Sequence, residues 1–234
     1  MSSPKLSPFH ENAVAILLTG LPGVGKSAIG KELHRLLNPE IDPESLDRHE
    51  MNSVLFHHCL LDEPCNTITG RPIPGHEKAP DGYVKLHMSL LQTALDTLQE
   101  DPSPRCFIFT ARMQVNSALK RSEELEEYID FTRKRRLPLF WFEITCADKN
   151  KHWVRMIEAR TTSTVYHNGQ HVFVPELLTE GQITKDNVDD GSVKYFSVRY
   201  RKIETEMLRK EEVAEKIIKL VLEELEGVDD GGWK

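Results

Sequence analysis

One stretch of the chain carries a dense and specific chemical signal: Gly20-Leu21-Pro22-Gly23-Val24-Gly25-Lys26-Ser27. It has the pattern G-x-x-x-x-G-K-S, that of a phosphate-binding loop. Each part has a physical reason. The glycines let the backbone fold so tightly that successive N–H groups point inward at phosphate oxygens. A helix opening at the end of the loop adds the positive partial charge of its N-terminus. Lys26 brings a mobile point charge for β- and γ-phosphates, and the Ser27 hydroxyl is a ligand for Mg²⁺. At average residue frequencies the pattern arises by chance in roughly 1% of chains this long. The context a real loop needs, a buried strand before it and a helix after it, lowers that further.

That context is present. Ala13–Thr19 is a short apolar run ending in glycine, the mark of a buried parallel strand. Lys26–Leu37 reads as the helix that follows, stopped before Pro39. Val84, Met88, Leu91, Leu95 and Leu98 step by four, three, four and three, which predicts an amphipathic helix. Cys106–Thr110 and Leu139–Cys146 read as further buried strands, and 117–136 and 149–160 as helices. Ile203, Met207, Ala214, Ile217, Val221 and Leu225 mark a long last helix. Strands alternating with helices predict an α/β fold, a mostly parallel sheet covered on both faces. Residues 161–195 are polar and irregular, and a loop of that length in a compact domain is often a lid. Residues 1–12 and 227–234 read as flexible tails, leaving one domain over 13–226 with a lid region at about 150–195.

Composition narrows the function classes. The chain has 234 residues, 39% hydrophobic and 29% charged, which is a globular composition. The longest uncharged apolar run, Ala13 to Leu18, is too short to span a bilayer, and the first twelve residues lack the apolar core of a signal peptide. The net charge of −7 argues against nucleic-acid binding driven by overall charge. Four scattered cysteines (Cys59, Cys65, Cys106, Cys146) fit a reducing compartment, which places the chain in the cytoplasm, with the nucleus as the alternative. The run Arg133-Lys134-Arg135-Arg136 closes a predicted helix, where cations suit the dipole, and four glutamates at 123, 124, 126 and 127 precede it. His57-His58-Cys59 with Cys65 does not have the usual spacing of a structural zinc site.

Among proteins with this loop, a GTPase should carry N-K-x-D, which is absent, and D-x-x-G occurs only at 229–232 with no strand before it. A compact domain with a loop-rich lid suits a small kinase. Arg155 and Arg160, before the long loop, are placed to fold over phosphates and stabilise the charge of transfer, although five-residue spacing sets them about 140° apart on a helix.

The run AILLTGLPGVGKSAIGKELHRLL resembles the start of small P-loop kinases of the shikimate kinase, gluconate kinase and chloramphenicol phosphotransferase type. More closely, the chain is similar to uncharacterised fungal ATP-dependent kinase-like proteins that carry an AAA label, through LLDEP, PSPRCFIFTA, RRLPLFWFEITCADKN and Arg155…Arg160. The similarity covers about 13–160. It implies a P-loop NTPase three-layer sandwich with a five-stranded, mainly parallel sheet. It also implies binding of ATP and Mg²⁺, transfer of the γ-phosphate to a small-molecule acceptor, and a role for the arginine pair. In that architecture the loop Gly70–His76 covers the acceptor pocket, making Arg71, and then Lys85 and His87, candidate substrate contacts.

The chain departs from the pattern in one respect. Such kinases place an acid near the end of the second strand, to take the acceptor's proton or help hold Mg²⁺. Here His57 stands at that position, and the nearest acids are Asp62 and Glu63. The strand Cys106–Thr110 also ends without a carboxylate. Asp62 and His57 are therefore both candidates for the base. The alternative to a kinase is an ATP-binding switch or scaffold that has lost transfer; a nucleic-acid end kinase rests only on the Arg133–Arg136 run.

Overall fold

The computed structural model describes residues 13–20, 23–38, 52–70, 81–101, 106–111, 118–148 and 198–226. They form five strands, β1 (Ala15–Thr19), β2 (Ser53–His57), β3 (Cys106–Thr110), β4 (Leu139–Thr145) and β5 (Val198–Glu204), and five helices. The helices are α1 (Lys26–Leu37), α2 (Cys59–Thr69), α3 (Asp81–Gln99), α4 (Ala118–Arg135) and α5 (Lys210–Glu226). The strands make one sheet in the order β2-β3-β1-β4-β5, and every pairing is parallel.

The pleat sorts the side chains of β1 into two cores. Val14, Ile16 and Leu18 point to one face, where Ile29, Leu33 and Leu37 of α1 and Val213, Ile217 and Val221 of α5 cover them. Ala15 and Leu17 point to the other, against Leu91 and Leu95 of α3 and Leu125, Tyr128 and Ile129 of α4. Because both faces are covered, β1, β3 and most of β4 are continuous apolar runs. Asn38 closes α1 and pins the start of β2. Its side-chain carbonyl accepts from Asn52 N at 2.6 Å and Ser53 N at 3.2 Å, while its amide donates to Ser53 Oγ at 2.7 Å.

Two sequence expectations are corrected. Ile203 does not open the last helix; it is the one buried residue of edge strand β5, and α5 begins at Lys210. Met207, between the two, is 81% exposed. The buried stripe of α3 starts one position earlier than expected, at Tyr83 and His87, with Val84 and Met88 only half-buried. The predicted helix at 149–160 and the lid at 161–195 lie outside the described residues. Among the described residues, no helix is long and apolar enough to cross a membrane.

Arg135, from the basic run, donates to the carbonyls of Leu98 at 3.1 Å and Gln99 at 3.2 Å and lies 5.0 Å over the Phe107 ring. It caps the carbonyls at the end of α3, a structural task. Arg133 pairs with Asp130 one turn back.

Candidate functional site

In a parallel α/β sheet, ligands bind outside the carboxyl ends of the strands. The candidate residues of β1, β2 and α1 meet there. The turn from β1 into α1 rests on Gly20, with φ of +138°, and on Gly25, which precedes the helix at φ +98°. At Gly20 the packing is decisive as well. A Cβ there would lie 2.2 Å from the carbonyl oxygen of Ile144 on β4. Gly25 offers no side chain to the first N–H groups of α1, and the first turn of that helix carries no acid. Its N-terminus therefore keeps its positive partial charge for an incoming anion. Lys26 is 5% exposed, and its Nζ donates to the Gly20 carbonyl at 2.6 Å, which holds the ammonium across the loop. Gly23 has φ +85° and Val24 is buried; Leu21 and Pro22 lie outside the described residues.

His57 reaches this loop because of strand parity. It follows Leu55 by two residues and so shares its face of β2, the face that packs on α1 beside Gly30. Ser27 lies one turn before Gly30, and His57 Nε2 is hydrogen-bonded to Ser27 Oγ. The backbone N–H of Cys59 donates to Nδ1 of the same ring at 3.2 Å. Nδ1 is thereby the acceptor, and we assign the ring proton to Nε2, which donates to the serine. Burial, then the nearby charges of Lys31 and Lys26, hold the His57 pKa below the ordinary imidazole value, against the opposing pull of Asp62. The ring is neutral at pH 7 and positions the Ser27 hydroxyl without adding positive charge to the loop.

A second cluster forms between α2 and α3. The Tyr83 hydroxyl donates to Asp62 Oδ1 at 2.7 Å, and His87 Nε2 lies 3.8 Å from the same oxygen. The Tyr83 and His87 rings stack with centroids 6.1 Å apart. Tyr83 and His87 are 1% and 4% exposed, and the Asp62 side chain 14%. Tyr128 of α4 is fully buried, and among the described residues its hydroxyl has no hydrogen-bond partner. Burial, and then the charges of Glu124 and Asp62, hold its ionisation far above the usual phenol range. The sequence contained a signal for Tyr83 and His87: they are four apart on a helix and continue to Leu91, placing two polar tips on the buried stripe. Tyr128 carried none. Lys85 is exposed, about 200° around α3 from both Tyr83 and His87. Arg71, Arg155 and Arg160 lie outside the described residues.

The donor set fits a nucleotide phosphate: backbone N–H groups at a helix start, a buried lysine and a loop bent through positive-φ glycines. For Mg²⁺ it offers the Ser27 hydroxyl, with His57 on β2 and Thr110 on β3 at the positions where a carboxylate was expected. Thr110 is fully buried, and its hydroxyl accepts the His58 N–H at 3.2 Å.

The same architecture is found in solved structures. APS kinase from Mycobacterium tuberculosis, solved with AMPPNP and APS, superposes with a TM-score of 0.50, covering 90% of this chain and 98% of that one at 14% identity. The chain has the fold of the small P-loop kinases. Kti12 from Chaetomium thermophilum, solved with ADP-AlF3, also gives 0.50, over 89% and 97% of the two chains at 11% identity. Shikimate kinase from Acinetobacter baumannii in complex with shikimate gives 0.49, over 94% and 98% at 16% identity. No family model matches the chain, and no curated protein matches it in sequence.

Proposed function

We propose that this protein is an ATP-dependent kinase that transfers the γ-phosphate of Mg-ATP to a hydroxyl of a small molecule, within one domain spanning 13–226. The observation that carries this reading is the joint placement of Lys26 and Ser27 at the start of α1 beneath two positive-φ glycines, each of which sequence motif and backbone require independently. Gly20 to Ser27 hold the triphosphate, Lys26 neutralises its β- and γ-oxygens, and Ser27 is the protein's ligand to Mg²⁺, which draws charge from the phosphates when bound. Asp62 is the base: it takes the proton of the acceptor hydroxyl as that oxygen bonds to the γ-phosphorus and the bond to the ADP oxygen breaks. Tyr83 and His87 fix the carboxylate. Arg155 and Arg160 close over the phosphates from the lid, and Arg71 contacts the acceptor; Lys85, exposed on the opposite side of α3 from Tyr83 and His87, does not. The protein works in the reducing cytoplasm, where its four cysteines form no disulfide.

One observation favours a second reading, a nucleotide-binding switch without transfer: His57 and Thr110 occupy the positions where a metal-holding carboxylate was expected. Turnover of ATP across a panel of hydroxylated metabolites, with phosphorylated products detected by mass, separates the two. In a kinase, Lys26→Ala abolishes both turnover and the thermal shift given by Mg-ATP. Arg155→Ala leaves ATP affinity within a few-fold and lowers turnover by roughly 10²–10³-fold, as for the loss of one preorganised donor. Wild-type protein that binds Mg-ATP but transfers to no acceptor leaves the switch reading in place.

A further inference from the structure

Glu143 on β4 is a buried carboxylate that the reaction described above does not use. It is 3% exposed, although a glutamate is seldom buried unless a cation pairs with it. The Tyr200 hydroxyl donates to its Oε2. Among the described residues, Oε1 receives no donor and no cation lies within ion-pair distance of the group. Lys202, its register neighbour on β5, is exposed and does not pair with it. Burial, then the hydrogen bond to Glu143 and its charge, hold the Tyr200 ionisation above the usual phenol range, so Tyr200 is the proton donor of the pair. A phenol does not neutralise a carboxylate. A charge buried with so little compensation costs stability, and a ligand that brings the missing cation relieves that cost.

Parity and register place this group beside the phosphate-binding loop. Glu143 follows Leu139 and Trp141 by steps of two, so it lies on the face of the sheet that α3 and α4 cover. Thr19 lies on that face as well, two residues after Leu17. Glu143 is the register partner of Thr19, the residue before Gly20, at the carboxyl end of the sheet where ligands bind. The Thr19 hydroxyl accepts Trp141 Nε1–H at 2.7 Å, and the Trp141 ring packs edge-on against Tyr200 with centroids 5.0 Å apart. Those contacts hold the phenol, and the phenol orients the carboxylate. Asp62 with Tyr83 stands at the same end of the same face, on the helix that follows β2. Between β2 and β4 lie β3 and β1, which contribute the small side chains of Ala111 and Thr19. Three strand spacings are about 14 Å, so the two carboxylates flank a floor that a molecule of one or two rings spans.

The charge selects the ligand. Nucleotide phosphates are anionic and a carboxylate beside them repels them, so Glu143 does not serve the nucleotide. A hydroxyl donor bonds Oε1 but leaves the charge unmatched, whereas an ammonium does both. The same wall rejects an acceptor that carries a carboxylate or phosphate. We propose that Glu143 binds a protonated amine of the acceptor, which is therefore of the amino-alcohol or amino-sugar class, with its reacting hydroxyl at Asp62. The place of the hydroxyl rests on the kinase reading; the place of the amine does not.

The test uses the full chain with Mg²⁺ and the non-hydrolysable analogue AMPPNP, and reads melting temperature and calorimetric binding. The probes are a panel of amino sugars and amino alcohols, glucosamine and serinol among them, each paired with its N-acetyl derivative. Glu143→Gln keeps an acceptor for the Tyr200 hydroxyl and removes the charge. Without probe, this variant should melt at least about 2 °C above wild type, whereas a residue serving only the fold would lose stability on the same change. An amine that raises the wild-type melting temperature should bind Glu143→Gln at least about tenfold more weakly, and its N-acetyl derivative should not distinguish the two proteins. A lower melting temperature or failure to fold in Glu143→Gln, or no amine in the panel that prefers wild type, overturns the proposal. An amine bound through Glu143 yet never phosphorylated counts against the kinase reading alone. Transfer to a neutral or anionic acceptor, equal in both proteins, supports the kinase reading and overturns the amine site.

Discussion

Replacing Gly20 by alanine tests the loop geometry directly, and the structure sets the size of the effect. Two costs add at this position. With φ at +138°, the backbone is in a region that side chains with a Cβ avoid, a strain of about 1–3 kcal/mol. The new methyl would also lie 2.2 Å from the Ile144 carbonyl oxygen, whereas real Cβ contacts essentially never fall below 3.0 Å. Relief needs a shift of nearly 1 Å between β1 and β4, whose adjacent residues Thr19 and Glu143 are paired in the sheet. Forcing such a shift in a packed interior costs about 1–3 kcal/mol more. The total, about 2–6 kcal/mol, is a large part of the stability of an ordinary domain. Gly30→Ala is the control. There the nearest atoms are the ends of Leu55 and Thr110 side chains, at 3.1 and 3.2 Å, and alanine is favoured over glycine inside a helix by about 1 kcal/mol. Urea unfolding followed by circular dichroism should therefore show a much lower midpoint for Gly20→Ala with an unchanged slope, and a midpoint close to wild type for Gly30→Ala. A Gly20→Ala protein within 0.5 kcal/mol of wild type would refute the reasoning, because neither the strain nor the clash would then be real.

Tyr83→Phe removes a hydrogen bond to the Asp62 carboxylate, of a type that contributes about 1.5–3 kcal/mol. Once an acceptor is known, kcat/KM should fall by at least about tenfold while the Kd for Mg-ATP stays level, so an equal loss in ATP binding argues against Asp62 as the base. A separate expectation concerns pH. Burial beside Ser53 and Asn38 holds the His34 pKa below 6.5, so the unfolded chain takes up a proton near pH 6.5 that the folded chain resists. Stability is then present above pH 6.5 and lost as pH falls through it, and His57 shifts in the same direction. Melting temperature should drop between pH 8 and pH 5, and His34→Gln should flatten that slope; an unchanged slope in the variant removes His34 as a cause.

What the sequence made legible follows from how strongly local pattern and tertiary demand agree. The span Lys26–Leu37 came out to the residue because the glycine-rich turn before it and the apolar spacing within it point the same way. Cys106–Thr110 did so because a strand buried on both faces is apolar throughout. β5 was hidden because it is an edge strand: VRYRKIE alternates charge with partial burial, and Arg199 and Arg201 pair with Glu224 on α5. Its single buried residue, Ile203, lay at a spacing that the following helix could absorb. α2 was hidden by Pro64, which reads as a breaker yet sits inside the helix, midway along it. In the candidate site the loop was legible because its residues are contiguous. The contact of His57 with Ser27 spans 30 residues, and that of Tyr83 with Asp62 spans 21, so each needed the fold to bring it about.

The place of β5 also bears on how the chain is made. The apolar strand LFWFEIT of β4 leaves the ribosome about 80 residues before α5 is complete, which at ordinary synthesis rates is about 4–16 s. During that interval one edge of β4 lacks its parallel partner, and the surface formed by Phe140, Phe142 and Ile144 lacks the helix that covers it. A nascent chain halted before residue 198 therefore exposes its stickiest strand on both counts. The charged edge that made β5 hard to read is what ends that exposure, since it pairs with β4 and turns arginines, rather than a bare apolar strand, to the outside.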